Sequence, residues 1–200
     1  GYGMPGYEGA VEAVAIADGK VTCRTIGNVE PQGICGSGLI DLLAELRRTG
    51  MMNKLGVFED GSDKFVFQTD KKMSLSRMDI SNLAQAKSAN YCGQRIVLNH
   101  YGTSADKIAR LYLAGGFANY INVENAVNIG FIANLPIKKV IKAGNTSLEG
   151  ATIMLISSEM RQVAESMVQR IDHVELETAS DFFDIFVEGC MFNPMKTVFK

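Results

Sequence analysis

Three glycine turns are the parts of this 200-residue chain best suited to chemistry: Gly36-Ser37-Gly38, Gly115-Gly116 and Gly144-Asn145-Thr146. Each leads toward a helical pattern. The last two directly follow strand-like runs, with Leu111 and Leu113 before one and Lys139 to Ala143 before the other. Such turns bring backbone N–H groups and a positive helix end to one place, which suits a phosphate or a nucleotide. At the carboxyl ends of strands they can converge on one crevice. Glycine also lets a flat ligand lie on the main chain. Each turn alone is equally explained by a tight bend, and only the three together point to binding. None is a P-loop, and no third glycine follows Gly38 at dinucleotide spacing.

A second candidate sits on a long helical pattern from about Ser76 to Asn99, opened by a capping box between Ser76 and Asp79. Ile80, Leu83, Ala84, Tyr91 and Leu98 share one stripe at helical spacing, and Lys87 falls in its middle with Gln94 beside it. Two readings stand. Either the lysine stem is buried and the amine reaches back to water, or the stripe faces a cleft and the ammonium meets a ribose or phosphate.

No Ser/His/Asp set, carboxylate pair or activated cysteine is visible. Asp41, Asp79 and Glu124 read as first-turn acids that suit a helix dipole. Cys35 reads as a small buried residue, and Ser37 as a helix cap or a phosphate contact. Cys23, Cys35, Cys92 and Cys190 are spread too widely for zinc or iron–sulfur spacing and read as reduced thiols. The two histidines, His100 and His173, read as helix-end and loop residues, so no metal site is expected.

The elements that must position these residues alternate between strands and helices, which argues an α/β fold with a mixed sheet. A hairpin over 9–26 turns at Asp18-Gly19. A helix carries Leu39, Leu42, Leu43 and Leu46 and ends near Gly50. Residues from about 51 to 75 form a surface excursion with a short strand or two. Beyond the second strand–turn pair come helices through Leu148 to Leu155 and to about Ile171. A strand Val174-Glu-Leu-Glu177 and an amphipathic segment with Phe182, Phe183 and Phe186 close the chain.

Twenty basic residues face 22 acidic ones, for a formal charge of −2, so nothing marks a nucleic-acid partner. No apolar run approaches the roughly 20 residues that cross a bilayer. Gly1-Tyr-Gly-Met has no signal-peptide character and reads as a cloning remnant or trimmed edge. A cytoplasmic location without a membrane partner is the expectation.

Taken in order, the segments Gly33 to Leu46, Asp79-Ile80, Ala84-Gln85-Ala86-Lys87, Leu111 to Tyr120 and Gly144-Asn145 resemble the C-terminal lobe of the reductive activators of corrinoid proteins. Phe186-Val-Glu188 and Met191-Phe-Asn-Pro194 are similar to that family's ending. The resemblance covers nearly the whole chain. It implies one domain over 1–200, the ribonuclease H-like second lobe of an actin-like ATPase in the acetate and sugar kinase, Hsp70 and actin superfamily. It further implies that Gly115, Gly116 and Phe117 lie against adenosine, with Gly36, Ser37 and Gly38 approaching from the other side. Lys87 would meet the ribose, and Gly144 and Asn145 would border the same cleft. In such activators ATP with Mg2+ drives return of an inactive cobalt(II) corrinoid to cobalt(I).

The partners implied are a corrinoid protein of a methyltransferase system and an N-terminal lobe; a homodimer is compatible. The phosphate loops, the magnesium-coordinating acid and the iron–sulfur cluster cysteines of that family are not among these residues. The isolated chain is therefore expected to be inactive. A lobe of a small-molecule or acyl kinase, and a non-enzymatic interaction domain whose glycine turns are structural, remain as alternatives.

Overall fold

The computed structural model describes residues 1–68, 70 and 72–196. Its first strands are β1 (Ala10–Ala17) and β2 (Lys20–Thr25), an antiparallel hairpin. Asp18 and Gly19 turn it with positive φ at both positions, a backbone that matches the twist of the flanking strands. The short strand β3 (Gly33–Ile34) pairs in parallel with the start of β1.

The opening residues are part of this sheet. Gly3 bridges Ile34 in parallel, the Ile34 N–H donates to Tyr2 O at 2.9 Å, and the Met4 N–H donates to Ile34 O at 3.0 Å. The exposed edge of a strand is a ready partner for any extended segment, and the first residues occupy it.

Helix α1 (Gly36–Arg48) runs along the remaining edge of β1. Its polar side chains meet the strand backbone in sequence. The Ser37 hydroxyl donates to Glu12 O at 2.9 Å, the Val14 N–H donates to Asp41 Oδ2 at 3.4 Å, and the Ile16 N–H donates to Glu45 Oε2 at 2.6 Å. Arg48 then donates to Ile16 O at 2.5 Å and pairs with Glu45. Asp41 is thus no first-turn acid: it is buried, and its other oxygen accepts from Asn125 at 2.7 Å. Burial raises its pKa against the pull of those two donors, whereas the Arg48 hydrogen bond holds Glu45 below the usual carboxylate range. Gly38 makes the close approach feasible, since a Cβ there would strike the Val11 carbonyl and Ile34.

The segment expected as a surface excursion contributes to the core instead. Strands β4 (Lys64–Gln68) and β5 (Met73–Ser76) form a second antiparallel hairpin. Met52, Phe58, Phe67, Met73 and Leu75 from this region are all buried. Phe65 also packs against this core. Helix α2 (Arg77–His100) follows, with the expected capping box between Ser76 and Asp79.

Strands β6 (Leu111–Ala114) and β7 (Val140–Gly144) pair in parallel as a separate sheet, so parallel and antiparallel pairings are shared among three small sheets. Between them lie α3 (Gly116–Tyr120), which begins at the second glycine of the pair, and α4 (Val123–Asn128), capped by the Asn122 side chain. Helices α5 (Thr146–Ile156) and α6 (Ser158–Val168) lie against each other and bury none of their residues.

The expected strand at 174–177 is absent. Val174 and Leu176 do pack on the core, yet no neighbouring strand among the described residues meets them, and Leu176–Thr178 closes into a 3-10 turn. Helix α7 (Phe182–Gly189) then packs back on α2.

Gly38 offers a direct test of the α1–β1 contact. Gly38→Ala should cost about 2 kcal/mol, the scale of overpacking a tight core. For a chain of this size that lowers the melting temperature by roughly 5 °C. A thermal melt that leaves the variant within a degree or so of the parent removes this contact as a constraint.

Candidate functional site

The α1 start and the β6–α3 turn, far apart in sequence, converge on one cleft. Gly36 and Ser37 line one side and Gly116 and Phe117 the other, around a cavity of about 470 Å³. Met4, Pro5, Gly6, Ile26 and Tyr120 complete a largely apolar rim, with Glu12 and Cys35 at its base. The volume falls within the range of small-molecule sites. Another cavity, of about 550 Å³, lies between the end of α2 and residues 173–181 and holds His100 and His173, but no glycine turn reaches it.

Gly115 and Gly116 have no packing duty. A Cβ at either would meet no atom within 4 Å. Gly115 needs its freedom for a φ of +98°, while Gly116 opens α3 in ordinary helical geometry. The structure therefore leaves Gly116 without an internal reason for being glycine. The Gly115 N–H donates to Gly144 O at 2.8 Å, so the second and third turns are joined at the ends of β6 and β7. Gly144 has φ of +73°, and the Asn145 side chain caps α5 by accepting from the Leu148 N–H. Neither residue lines the cleft.

Two other expected site residues are engaged within the fold. Ser37 lines the cleft but is buried; its hydroxyl donates to Glu12 O and lies 3.3 Å from Cys35 Sγ, so it does not cap α1. Gly38 faces Val11, where a strand rather than a ligand presses on it.

Lys87 differs from both of its expected settings. It is only 4% exposed, and its ammonium donates to Gly189 O and, at 2.9 Å, to Met191 O. The rings of Tyr91 and Phe192 lie 5.7 and 5.5 Å from the nitrogen. A buried charge needs acceptors, and the carbonyls at the end of α7 are within reach where water and the cleft are not. Lys87 also borders a pocket of about 190 Å³ shared with Gly36, Leu39, Leu83, Ala86 and Phe117.

Sequence reasoning missed Met4, Pro5, Gly6, Ile26 and Tyr120. Their only signal was position, since they flank segments whose pairing brings them to the α1 start.

Cys23, Cys35, Cys92 and Cys190 are free thiols, and no group of three or more His, Cys, Asp or Glu side chains among the described residues is placed to hold a metal. These residues fit neither an iron–sulfur cluster nor a magnesium site of their own. Among them no helix is long and apolar enough to cross a membrane.

Comparison with known proteins agrees with this geometry. A family model described as the C-terminal domain of RACo, the ASKHA domain, matches residues 1–200. The corrinoid activation enzyme RamQ of Eubacterium limosum is 31% identical over 214 residues, covering 95% of this chain and 36% of that protein. A solved structure of a reductive activator for corrinoid, iron–sulfur protein superposes with a TM-score of 0.88 at 32% identity, covering 98% of this chain and 34% of its own. The chain thus spans about a third of the length of these relatives.

The Lys87 site predicts a pH dependence. Burial pulls its ammonium down from 10.5 to about 8. The folded value lies below the unfolded one, so the cost of burying the charge is present in full below pH 8 and fades as pH rises toward 10.5. Stability should therefore climb across the lower part of that window in the parent and climb less in Lys87→Met. Urea unfolding at about pH 7.5 and 9.5 measures the difference; equal slopes for the two proteins discard this account.

Proposed function

This chain belongs to the family of the C-terminal domain of RACo, the ASKHA domain, and from that membership we propose that its cleft receives the adenosine side of ATP in an activator of corrinoid proteins. The observation that carries the reading is the meeting of Gly36-Ser37 with Gly116-Phe117 on one cavity, with Gly116 free of any internal packing role. A backbone without side chains at a helix start can lie against a sugar or base and direct N–H groups at a polar edge. The apolar rim from Met4 to Tyr120 supplies the dry surface that a flat base requires.

The activity belongs to a larger assembly. ATP with Mg2+ would be gripped between this cleft and an N-terminal lobe that provides the phosphate loops, the magnesium ligands and the catalytic base. The unburied apolar side chains of α5, among them Leu155 and Ile156, support a further covering surface for this chain. In the family's reaction the substrate is a corrinoid protein whose cobalt(II) is returned to cobalt(I). ATP can drive that step only if it binds one arrangement of the activator better than the other, because a ligand shifts an equilibrium by its differential affinity alone. This chain's part is to bind and orient the nucleoside. It supplies no electron path, since its cysteines are dispersed, and a cluster would lie elsewhere in the activator. The domain extends over 1–200, and the compartment we assign is the cytoplasm.

Titration calorimetry with ATP and ADP tests the reading. The parent chain should bind both, and Gly116→Val should weaken binding by about tenfold or more. The added side chain meets no protein atom within 4 Å of its Cβ, so the loss would report the ligand rather than the fold. Phosphate release by the isolated chain should stay at the blank rate. In the whole activator the same substitution should slow ATP-dependent cobalt reduction, read from corrinoid absorbance. A parent chain that binds neither nucleotide returns the glycine turns to a structural role.

A further inference from the structure

Phe117 is the shared wall of three cavities. Its ring borders the 470 Å³ cleft, the 190 Å³ apolar pocket between α1 and α2, and a 270 Å³ pocket beside β6. The ring stands edge-on to Phe131, with centroids 6.0 Å apart at 78°. It also lies over Gly36 so closely that a Cβ there would come within 2.5 Å of Phe117 Cε2. This large apolar side chain is nevertheless 44% exposed, so it is held by edge contacts rather than enclosed.

The backbone beside it is anchored. Gly115 and Gly116 precede the ring, and the Gly115 N–H donates to Gly144 O at 2.8 Å. The far end of α3 is fixed by buried Ala118 and Ile121, and Lys142 donates to Asn119 O at 2.9 Å and Ile121 O at 2.8 Å. Rotation of the exposed Phe117 side chain is thus the motion left at this wall.

We propose that the Phe117 ring is a gate between the open cleft and the inner apolar pocket, and that it selects for flat aromatic ligands. The inner pocket alone is smaller than a usual ligand site. Joined to the cleft by rotation of the ring off Gly36, it extends the site inward between α1 and α2, past Leu39, Leu83 and Ala86. A planar base enters that slot once the ring has turned aside. A bulkier non-planar group has no room between the helices. The nucleoside as the occupant rests on the function proposed above; the gate itself rests on the three cavities and the exposed ring that parts them.

The test is binding of ADP to the 200-residue chain, with indole as a second probe that is flat and carries no phosphate. A gate closed most of the time lowers apparent affinity by the fraction open, so Phe117→Ala should bind ADP about tenfold more tightly than the parent. Phe117→Leu should fall between them, and circular dichroism should show the same helix content in all three. Unchanged or weaker ADP binding by Phe117→Ala overturns the gate and leaves the ring a fixed wall. If no protein binds ADP, the nucleotide reading fails, and indole alone decides the gate. Uptake by Phe117→Ala and not by the parent upholds it; uptake by both or by neither overturns it.

Discussion

The register of α1 against β1 is the constraint on which the site depends. Ser37, Asp41 and Glu45 are spaced four apart on the helix and meet backbone groups of Glu12, Val14 and Ile16, spaced two apart on the strand. Four residues of helix rise about 6.0 Å and two residues of strand about 6.6 Å, so the two ladders stay in step over several bonds. The helix thereby does for this edge of β1 what a neighbouring strand does elsewhere. Gly38 sets the distance, and a slip of one residue would turn every polar partner away. The start of α1, which lines the cleft, is held by the length of this contact and not by a local turn alone.

A second tie fixes the opposite side. Lys87 brings an ammonium into the core with backbone carbonyls and aromatic faces as its neighbours. Those carbonyls belong to the end of α7 and the residue beyond Cys190, so satisfying the charge draws the C-terminal segment onto α2. Ser88 donates to Phe186 O, Arg95 pairs with Glu188, and Arg47 of α1 donates to Phe192 O at 2.9 Å. Burial also pushes the Tyr91 hydroxyl up to about 12, so it stays a neutral donor or acceptor beside these charges. A charged network of this kind contributes specificity of arrangement more than net stability.

Between these ties lies the cleft. Its surface is backbone, apolar side chains and a single acid, Glu12, whose carboxylate is paired with Arg24 at 3.1 Å. In the function proposed above, such a wall would place a nucleoside, with the phosphate contacts coming from elsewhere. Coupling ATP to an uphill reduction would then need two arrangements of a larger protein that differ in their grip on the nucleotide. The exposed Phe117 ring at one wall is the kind of element whose position a ligand can bias.

Local patterns in the sequence determined the elements that depend only on near neighbours. Asp18-Gly19 turns the first hairpin, Ser76 and Asp79 open α2, and the stripe from Ile80 to Leu98 faces inward. The glycine turns, too, were legible as sites where backbone is bare. Long-range pairing decided the rest. Val174-Glu-Leu-Glu177 has strand alternation, but a strand exists only where a neighbour accepts its hydrogen bonds, and none does among the described residues. The first residues gained a role because Ile34 presents an edge to them. Gly38 and Gly116 look alike in sequence, yet one is pressed by Val11 and the other faces open space. Lys87 was legible as a charge on an apolar stripe, but only the fold chose its partners, because the carbonyls that satisfy it lie about a hundred residues further along the chain.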